Sequence, residues 1–155
     1  MSATLESLAD LAGLADALVE ELRQADFGPA FRKALADLED DHARFFASET
    51  APDGSPWPPL AESTARRKGH WIKLVETGAL MASLVSTNGD SVRFVFDEQL
   101  TKGFAFGTRD EKSPFHQFGT ARIPRREHVG FTDARVDQIA EDLADHAAAV
   151  LAGVV

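Results

Sequence analysis

The chain has 155 residues, 44% of them hydrophobic, which is enough for one domain with a buried core, and it has no cysteine, which excludes disulfides, thiolate zinc sites and cysteine nucleophiles. The formal net charge of -9 is unevenly spread: residues 1–50 hold 4 basic and 11 acidic side chains, residues 51–130 hold 11 and 9, and residues 131–155 hold 1 and 5. Acidic ends around a weakly basic middle argue against general nucleic-acid binding, which needs a concentrated basic face.

The hydropathy pattern leads us to expect a soluble protein. No apolar run approaches the roughly 20 residues that a membrane span requires. The first residues lack the basic and apolar blocks of a signal peptide, so a cytoplasmic protein is the default expectation.

Two amphipathic helices are predicted at the start of the chain. Over residues 4–24, apolar residues recur at steps of three and four, which places them on one face of a helix. Pro29 breaks the pattern and suits the first turn of a second helix, Pro29–Ser48. The two predicted stripes consist of Leu8, Leu11, Ala15, Leu18, Val19 and Leu22, and of Phe31, Leu35, Leu38 and Phe45.

A proline-rich loop and a basic cluster follow over residues 51–73. The stretch APDGSPWPPLAEST holds four of the seven prolines, so it is predicted to be an ordered loop followed by a short helix. Trp57 lies between prolines and either packs on the protein's own core or, with Pro58, contacts a partner. The basic cluster Arg66, Arg67, Lys68, His70 and Lys73 is either solvated surface or, as the weaker alternative, a nucleic-acid contact, and its first three residues are also expected to take part in the partner contact.

Residues 74–131 are predicted to contain a small antiparallel sheet. The segment LVETGALMASLV, interrupted by Gly78, indicates a helical turn leading into a strand. The dipeptide Asn88-Gly89 is typical of tight hairpin turns, and the alternation that follows it predicts a second strand. Phe104 and Phe106 repeat the alternation and predict a third strand.

A C-terminal helix is predicted over Thr132–Leu151, with Thr132 as its N-cap and one apolar stripe. The sequence therefore predicts an α+β fold of one domain: N-terminal helices over residues 1–50, the loop over 51–73, a β-rich core over 74–131 with its hairpin at Asn88-Gly89, and a C-terminal helix over 132–151 packed on the sheet. The stripe consists of Val136, Ile139, Leu143, Ala147 and Val150.

The histidines give little support to an enzyme. A metal-dependent hydrolase could use His42, Asp41, His116 and His146, but no recognised zinc signature is present. A serine nucleophile near His116 would need an oxyanion hole, and no G-x-S-x-G element exists. We therefore predict no catalytic residue, no metal and no cofactor.

Four stretches occur in a fixed order: PDGSPWPPLAEST, LVETGALMASL, FGT followed by SPFHQFGT, and RIPRREHVGF. Together they resemble the phage virion morphogenesis family, the tail completion proteins of tailed phages of the Mu and P2 kind. That family has a proline-rich Asp-Gly-x-x-Trp loop, a Leu-x-x-Thr-Gly-x-Leu segment, a Tyr-Ala-x-x-His-Gln-x-Gly element and an Ile-Pro-x-Arg-x-x-x-Gly stretch before a C-terminal helix. This chain has Pro114-Phe115 in place of Tyr-Ala, and the resemblance covers roughly residues 45–150.

The resemblance implies a structural, non-catalytic protein of the tail or neck that joins a finished tail to a filled head. It implies a homo-oligomeric ring, with a hexamer favoured, and contacts with other tail, neck or connector proteins, but no specific nucleic acid and no membrane. Such a protein would be assembled in the bacterial host cytoplasm and end in the virion. The alternative is a small acidic protein-binding adaptor unrelated to virions.

The motif residues are then expected to be structural or interfacial. Phe115 and Phe118 are expected to be core or interface anchors on one face of a helical turn, and His116 and Gln117 to bond backbone groups that the loops leave unpaired. The remaining motif positions to which we assign such a role are Thr77, Gly78, Leu80, Gly119, Pro124 and Arg126.

Overall fold

The computed structural model describes residues 8–98 and 101–153. The elements in chain order are α1 (Leu8–Gln24), α2 (Gly28–Ser48), α3 (Glu62–Lys68), α4 (Ala79–Val85), β1 (Ser91–Glu98), β2 (Thr101–Thr108), α5 (Ser113–Phe118) and α6 (Asp133–Leu151). Helices around one antiparallel hairpin make an α+β fold, as the sequence predicted. No helix in the described ranges has the length and apolarity needed to cross a membrane.

The two N-terminal helices form where the apolar periodicity predicts them. The first is confirmed over residues 8–24, and predicted positions 4–7 lie outside the described residues. The second has Pro29 in its first turn and is capped after Ser48 by Glu49, whose backbone takes a left-handed conformation (φ 54°) and donates its N–H to the carbonyl of Phe45.

An apolar cluster, called here the central core, lies between α2, the proline-rich loop and α4. It is completed by partly buried side chains from β2 and from the segment before α6, including Phe106 and Val129. The buried members are Phe45, Phe46, Ala51, Trp57, Leu74, Leu80 and Leu84.

The hairpin exists, but its turn is not at Asn88-Gly89. The two strands pair in antiparallel register from Ser91↔Thr108 to Glu98↔Thr101, so Asn88-Gly89 lies before the first strand and not between the two. The predicted strand before Asn88 is helix α4, and the predicted third strand, with Phe104 and Phe106, is the second of the two described strands. The reason is local: neither Asn88 nor Gly89 has a positive φ, and the Asn88 side chain instead accepts the N–H of Asp90 at 2.8 Å.

Helix α6 has the predicted N-cap but not the predicted packing. The Thr132 hydroxyl accepts the N–H of Arg135 at 3.0 Å. The helix packs mainly against α1 and α2 rather than on the sheet, and none of its residues is buried. Polar contacts attach it to α2: Arg135 donates from Nε to the buried Asp41 carboxylate at 2.7 Å, and Lys33 contacts Asp142 at 2.6 Å.

Candidate functional site

A groove of about 640 Å³, called here the motif groove, brings segments of all four sequence motifs together. The proline-rich loop and α3 form one side, and residues 74–80 lie beside them. Residues 110–116 and 122–126 complete the lining. Of the candidate site residues, those that line it are Arg67, Lys68, Thr77, Gly78, Leu80, Phe115, His116, Pro124 and Arg126.

The proline-rich loop is held rigidly under the groove by Trp57. The Trp57 side chain is 3% exposed, packs edge-on against Phe46 and donates its indole N–H to the carbonyl of Glu127 at 2.7 Å. Its backbone N–H donates to the carbonyl of Glu49 at 2.8 Å. Of the two alternatives for Trp57, the structure favours packing on the protein's own core, since almost no surface is left for a partner.

Arg126 joins the fourth motif to the first. Arg126 is 4% exposed, and its guanidinium donates from Nε to the carbonyl of Pro58 at 2.8 Å and from Nη2 to the carbonyl of Pro59 at 2.7 Å. The loop around Pro58 and Pro59 is not paired with either described strand, so these carbonyls need another donor, which the arginine supplies. Burial lowers the pKa of Arg126 from its usual value. Pro58 therefore contributes to this link between the first and fourth motifs through its backbone carbonyl.

Gln117 behaves as predicted and joins the third motif to the fourth. Its side-chain oxygen accepts the backbone N–H groups of His128 and Val129, both at 3.0 Å, and its amide nitrogen donates to the carbonyl of Val129 at 2.8 Å. One side-chain amide thus bonds three backbone groups of His128 and Val129, which lie outside the two described strands.

Gly119 ends α5 and allows the same two segments to approach. Its φ is 73°, and a Cβ at this position would lie 2.9 Å from the backbone nitrogen of Arg125. Only glycine fits both conditions without strain. The neighbouring backbone bond runs from the N–H of Arg126 to the carbonyl of His116 at 2.7 Å.

The second motif forms the N-terminal end of α4. Gly78 has a φ of 84° at the N-cap position, and the Thr77 hydroxyl accepts the N–H of Ala79 at 3.4 Å. Leu80 is buried and reaches from the groove into the central core. The groove wall and the core therefore share a side chain.

His116 does not make the bond that the sequence led us to expect. Its Nδ1 is buried and has no hydrogen-bond partner within the described residues, although its backbone carbonyl and N–H are both bonded. Burial, followed by electrostatic interactions with His128 and Arg126, lowers the pKa of His116. The side chain is thus a neutral, partly buried part of the groove wall.

Phe115 and Phe118 are surface residues and not core anchors. They are 53% and 77% exposed. The apolar side of α5 faces outward because the inner side is taken by Ser113 and Gln117, which bond His128 and the segment after it. Only Phe115 lines the motif groove.

A serine–histidine pair lies beneath the groove but does not line it. The Ser113 hydroxyl lies 2.9 Å from Nε2 of His128, whose Nδ1 lies 2.9 Å from the carbonyl of Arg126. Because Nδ1 donates to that carbonyl, Nε2 accepts from the serine. Both side chains are buried, and burial lowers the pKa of His128. The pair acts as a structural tie between α5 and the fourth motif.

The histidines considered as metal ligands lie apart. His42 is fully buried in contact with Phe106 and bonds the carbonyl of Leu38, whereas His146 on α6 bonds the carbonyl of Asp26. In the part of the chain that the structure describes, no three histidine or carboxylate side chains form a set that could hold a metal ion.

The groove has a basic rim on an apolar floor. Five basic and two acidic side chains line it, beside leucine, isoleucine, proline and phenylalanine side chains. Glu76 pairs with Arg67, and its Oε2 lies 3.6 Å from Nζ of Lys112; the hydrogen bond from Arg67, with the positive charges of Arg67 and Lys112, lowers the pKa of Glu76. Arg66, by contrast, pairs with Glu62 on the same helix and does not line the groove.

Sequence reasoning missed several groove residues and one buried histidine. Leu60, Arg122 and Ile123 line the groove, and each lies inside a stretch already recognised as a motif. His128 also lies in the fourth motif, but a fully buried histidine bonded to a serine 15 residues earlier cannot be read from spacing alone. Position within a motif was the only available signal.

A family model identifies the class of protein. Residues 7–148 match the phage virion morphogenesis family, so the chain belongs to this family, whose role is in the assembly of phage particles and which is not a class of enzymes. The match also includes α1, which the motif resemblance did not cover. No curated protein and no solved structure gives a significant match.

Proposed function

We propose that this protein completes the phage tail and joins it to the head, as a homo-oligomeric ring at the head-proximal end of the tail. The observation that carries the proposal is the convergence of the four motif segments on one groove. Trp57 and Arg126 tie the first motif segment to the fourth, and Gln117 ties the third to the fourth. Such a rigid, accessible surface suits binding to another protein.

The charge distribution supports contact between copies. The motif groove has an excess of basic side chains, whereas α1 and α6 are both acidic. A ring requires two unlike surfaces on each subunit that fit one another. Opposite charges on the two surfaces would set their orientation and speed their encounter.

The direct test is electron microscopy of lysates from the source phage or prophage with the gene deleted. We expect DNA-filled heads beside free tails, with joined particles restored when the wild-type gene is supplied in trans. Complementation separates loss of this protein from effects of the deletion on neighbouring genes. Normal joined particles in the deletion strain would contradict the proposal and favour an adaptor that works outside the particle.

A further inference from the structure

One face of α1 is apolar, acidic at its margin and uncovered. Leu11 and Val19 are 51% and 47% exposed, and Ala15 lies between them on the same stripe. The half-buried Leu18 and Leu22 lie on the inner edge of the stripe. The helix carries four acidic residues and one basic residue. Called here the α1 face, this surface consists of Leu11, Ala15 and Val19 with the flanking Asp16 and Glu20.

The motif groove has the opposite charge and the same apolar character. Its rim includes the exposed Arg122, which has no ion-pair partner within the described residues, and the exposed ring of Phe115. Trp71 and Ile72, between the lining residues Lys68 and Leu74, add further exposed apolar surface. Exposed apolar surface rimmed by charge is typical of a protein interaction site.

We propose that the α1 face of one copy docks in the motif groove of a second copy. The inference rests on the proposed self-assembly and names the two surfaces that meet. Leu11, Ala15 and Val19 cover the apolar floor, while Asp16 and Glu20 lie toward the basic rim. A helix laid into a groove presents residues at such spacings to its partner.

The geometry makes this contact propagate rather than end at a pair. The two surfaces are different, so each copy keeps one free groove and one free α1 face after a first contact. Repetition of such a contact produces a ring if the rotation closes. The groove, at about 640 Å³, has room for several side chains of one helix and not for a whole domain, and α1 is a helix of about 25 Å at 1.5 Å per residue.

The test uses one variant on each surface, each with a matched control. Val19→Arg places a positive charge on the α1 face, and Ala17→Arg places it on the same helix off the stripe. Phe115→Glu places a negative charge in the groove, and Phe118→Glu places it on the same helix outside the groove. All four positions are exposed, and thermal unfolding checks that each variant folds. Sedimentation velocity of the full chain measures self-association.

We expect Val19→Arg and Phe115→Glu each to weaken self-association about tenfold or more, and the two controls to leave it within about twofold. An equimolar mixture of the two defective variants is expected to form a complex of two chains, because the intact groove of one accepts the intact α1 face of the other. No larger assembly should form from that mixture.

Several results would overturn the inference. A wild-type chain that stays monomeric at every concentration would do so, as would equal weakening by the controls. Two monomeric variants that fail to associate when mixed would mean that each surface meets a different protein or a small ligand. The particle phenotype of the deletion strain involves neither surface, so the proposed function can survive the failure of this contact.

Discussion

The central core and the outer helices, α1 and α6, are built differently. The core holds buried leucines and edge-on aromatic contacts, and beside it Arg126 and Gln117 bond backbone groups of the loops. Helix α6 has no buried residue, and both outer helices carry apolar side chains that are about half exposed. The ion pairs of Arg135 and Lys33 help to hold α6 on α2.

Under the proposed self-assembly, this difference places stability and the contact between copies in separate parts of the molecule. Burial of apolar surface is the main source of folding free energy, so the core carries most of it. Apolar surface left half exposed on a folded chain is available for a partner. The motif groove lies at the edge of the core, where Leu80 belongs to both, and can present a fixed shape to a mobile or incoming helix.

The largest expected effect separates the two regions by core truncation. Leu84→Ala removes a fully buried side chain and should lower the free energy of unfolding by about 2–5 kcal/mol, from lost burial and the cavity left behind. The matched change Leu11→Ala on α1 should cost less than about 1 kcal/mol, since half the side chain is already in water. Urea unfolding at low protein concentration measures both. Equal losses would remove the distinction.

Acid should weaken the core over a defined pH range. Burial lowers the pKa of His42 from 6.5 to about 4, so the folded state keeps the ring neutral while the unfolded state takes up a proton. Its contribution is fully present above pH 6.5 and is lost as pH falls toward 4, by at most about 3 kcal/mol at 1.36 kcal/mol per pKa unit. His116 and His128, whose pKa values burial also lowers, act in the same direction.

Urea unfolding at a series of pH values between 7.5 and 4.5 measures this loss. In the variant His42→Gln the free energy of unfolding should decrease less steeply, as the pH is lowered, than it does in the wild type. A free energy of unfolding that stays constant between pH 7 and 5 would contradict the claim that burial keeps these histidine rings neutral in the folded state.

A pair of glycine substitutions should act with opposite signs. Gly119→Ala places a Cβ 2.9 Å from the Arg125 backbone at a φ of 73°, which should cost about 2 kcal/mol or more. Gly13→Ala in α1 meets nothing within 4 Å and should stabilise the helix by up to about 1 kcal/mol. Thermal unfolding compares the two. A stabilising Gly119→Ala would show that the approach of the third and fourth motifs does not need glycine.

Salt should affect assembly more than folding. Exposed charges are screened within a Debye length of roughly 10 Å at 0.1 M salt, whereas the buried core is insensitive to such screening. Raising the salt concentration is expected to weaken self-association severalfold and to shift the unfolding midpoint only slightly. Sedimentation at two salt concentrations tests this. Self-association that does not change with salt would mean that only the apolar side chains, and not the charges, stabilise the contact.

The sequence predicted elements with strong periodicity and missed those decided by long-range contacts. Helices α2 and α6, with Pro29 and Thr132 at their starts, follow from local rules. Asn88-Gly89 misled because its turn joins a helix to a strand, and α4 looked like a strand because a short apolar run fits either. Most residues that line the groove lie in the four motifs, but the sequence did not predict that the motifs come together. Their proximity depends on contacts such as that of Arg126 with Pro58, 68 residues apart.

Hydrogen exchange at low and high protein concentration tests most directly the claim that the core gives stability and the outer surfaces give assembly. At low concentration we expect slow exchange in α2, α4 and the core loop and fast exchange in α1. At concentrations where assemblies form, protection should rise in α1 and in the groove segment 110–126, with the core unchanged. Protection that rises elsewhere, or an α1 as slow as α2 in the monomer, would contradict the account.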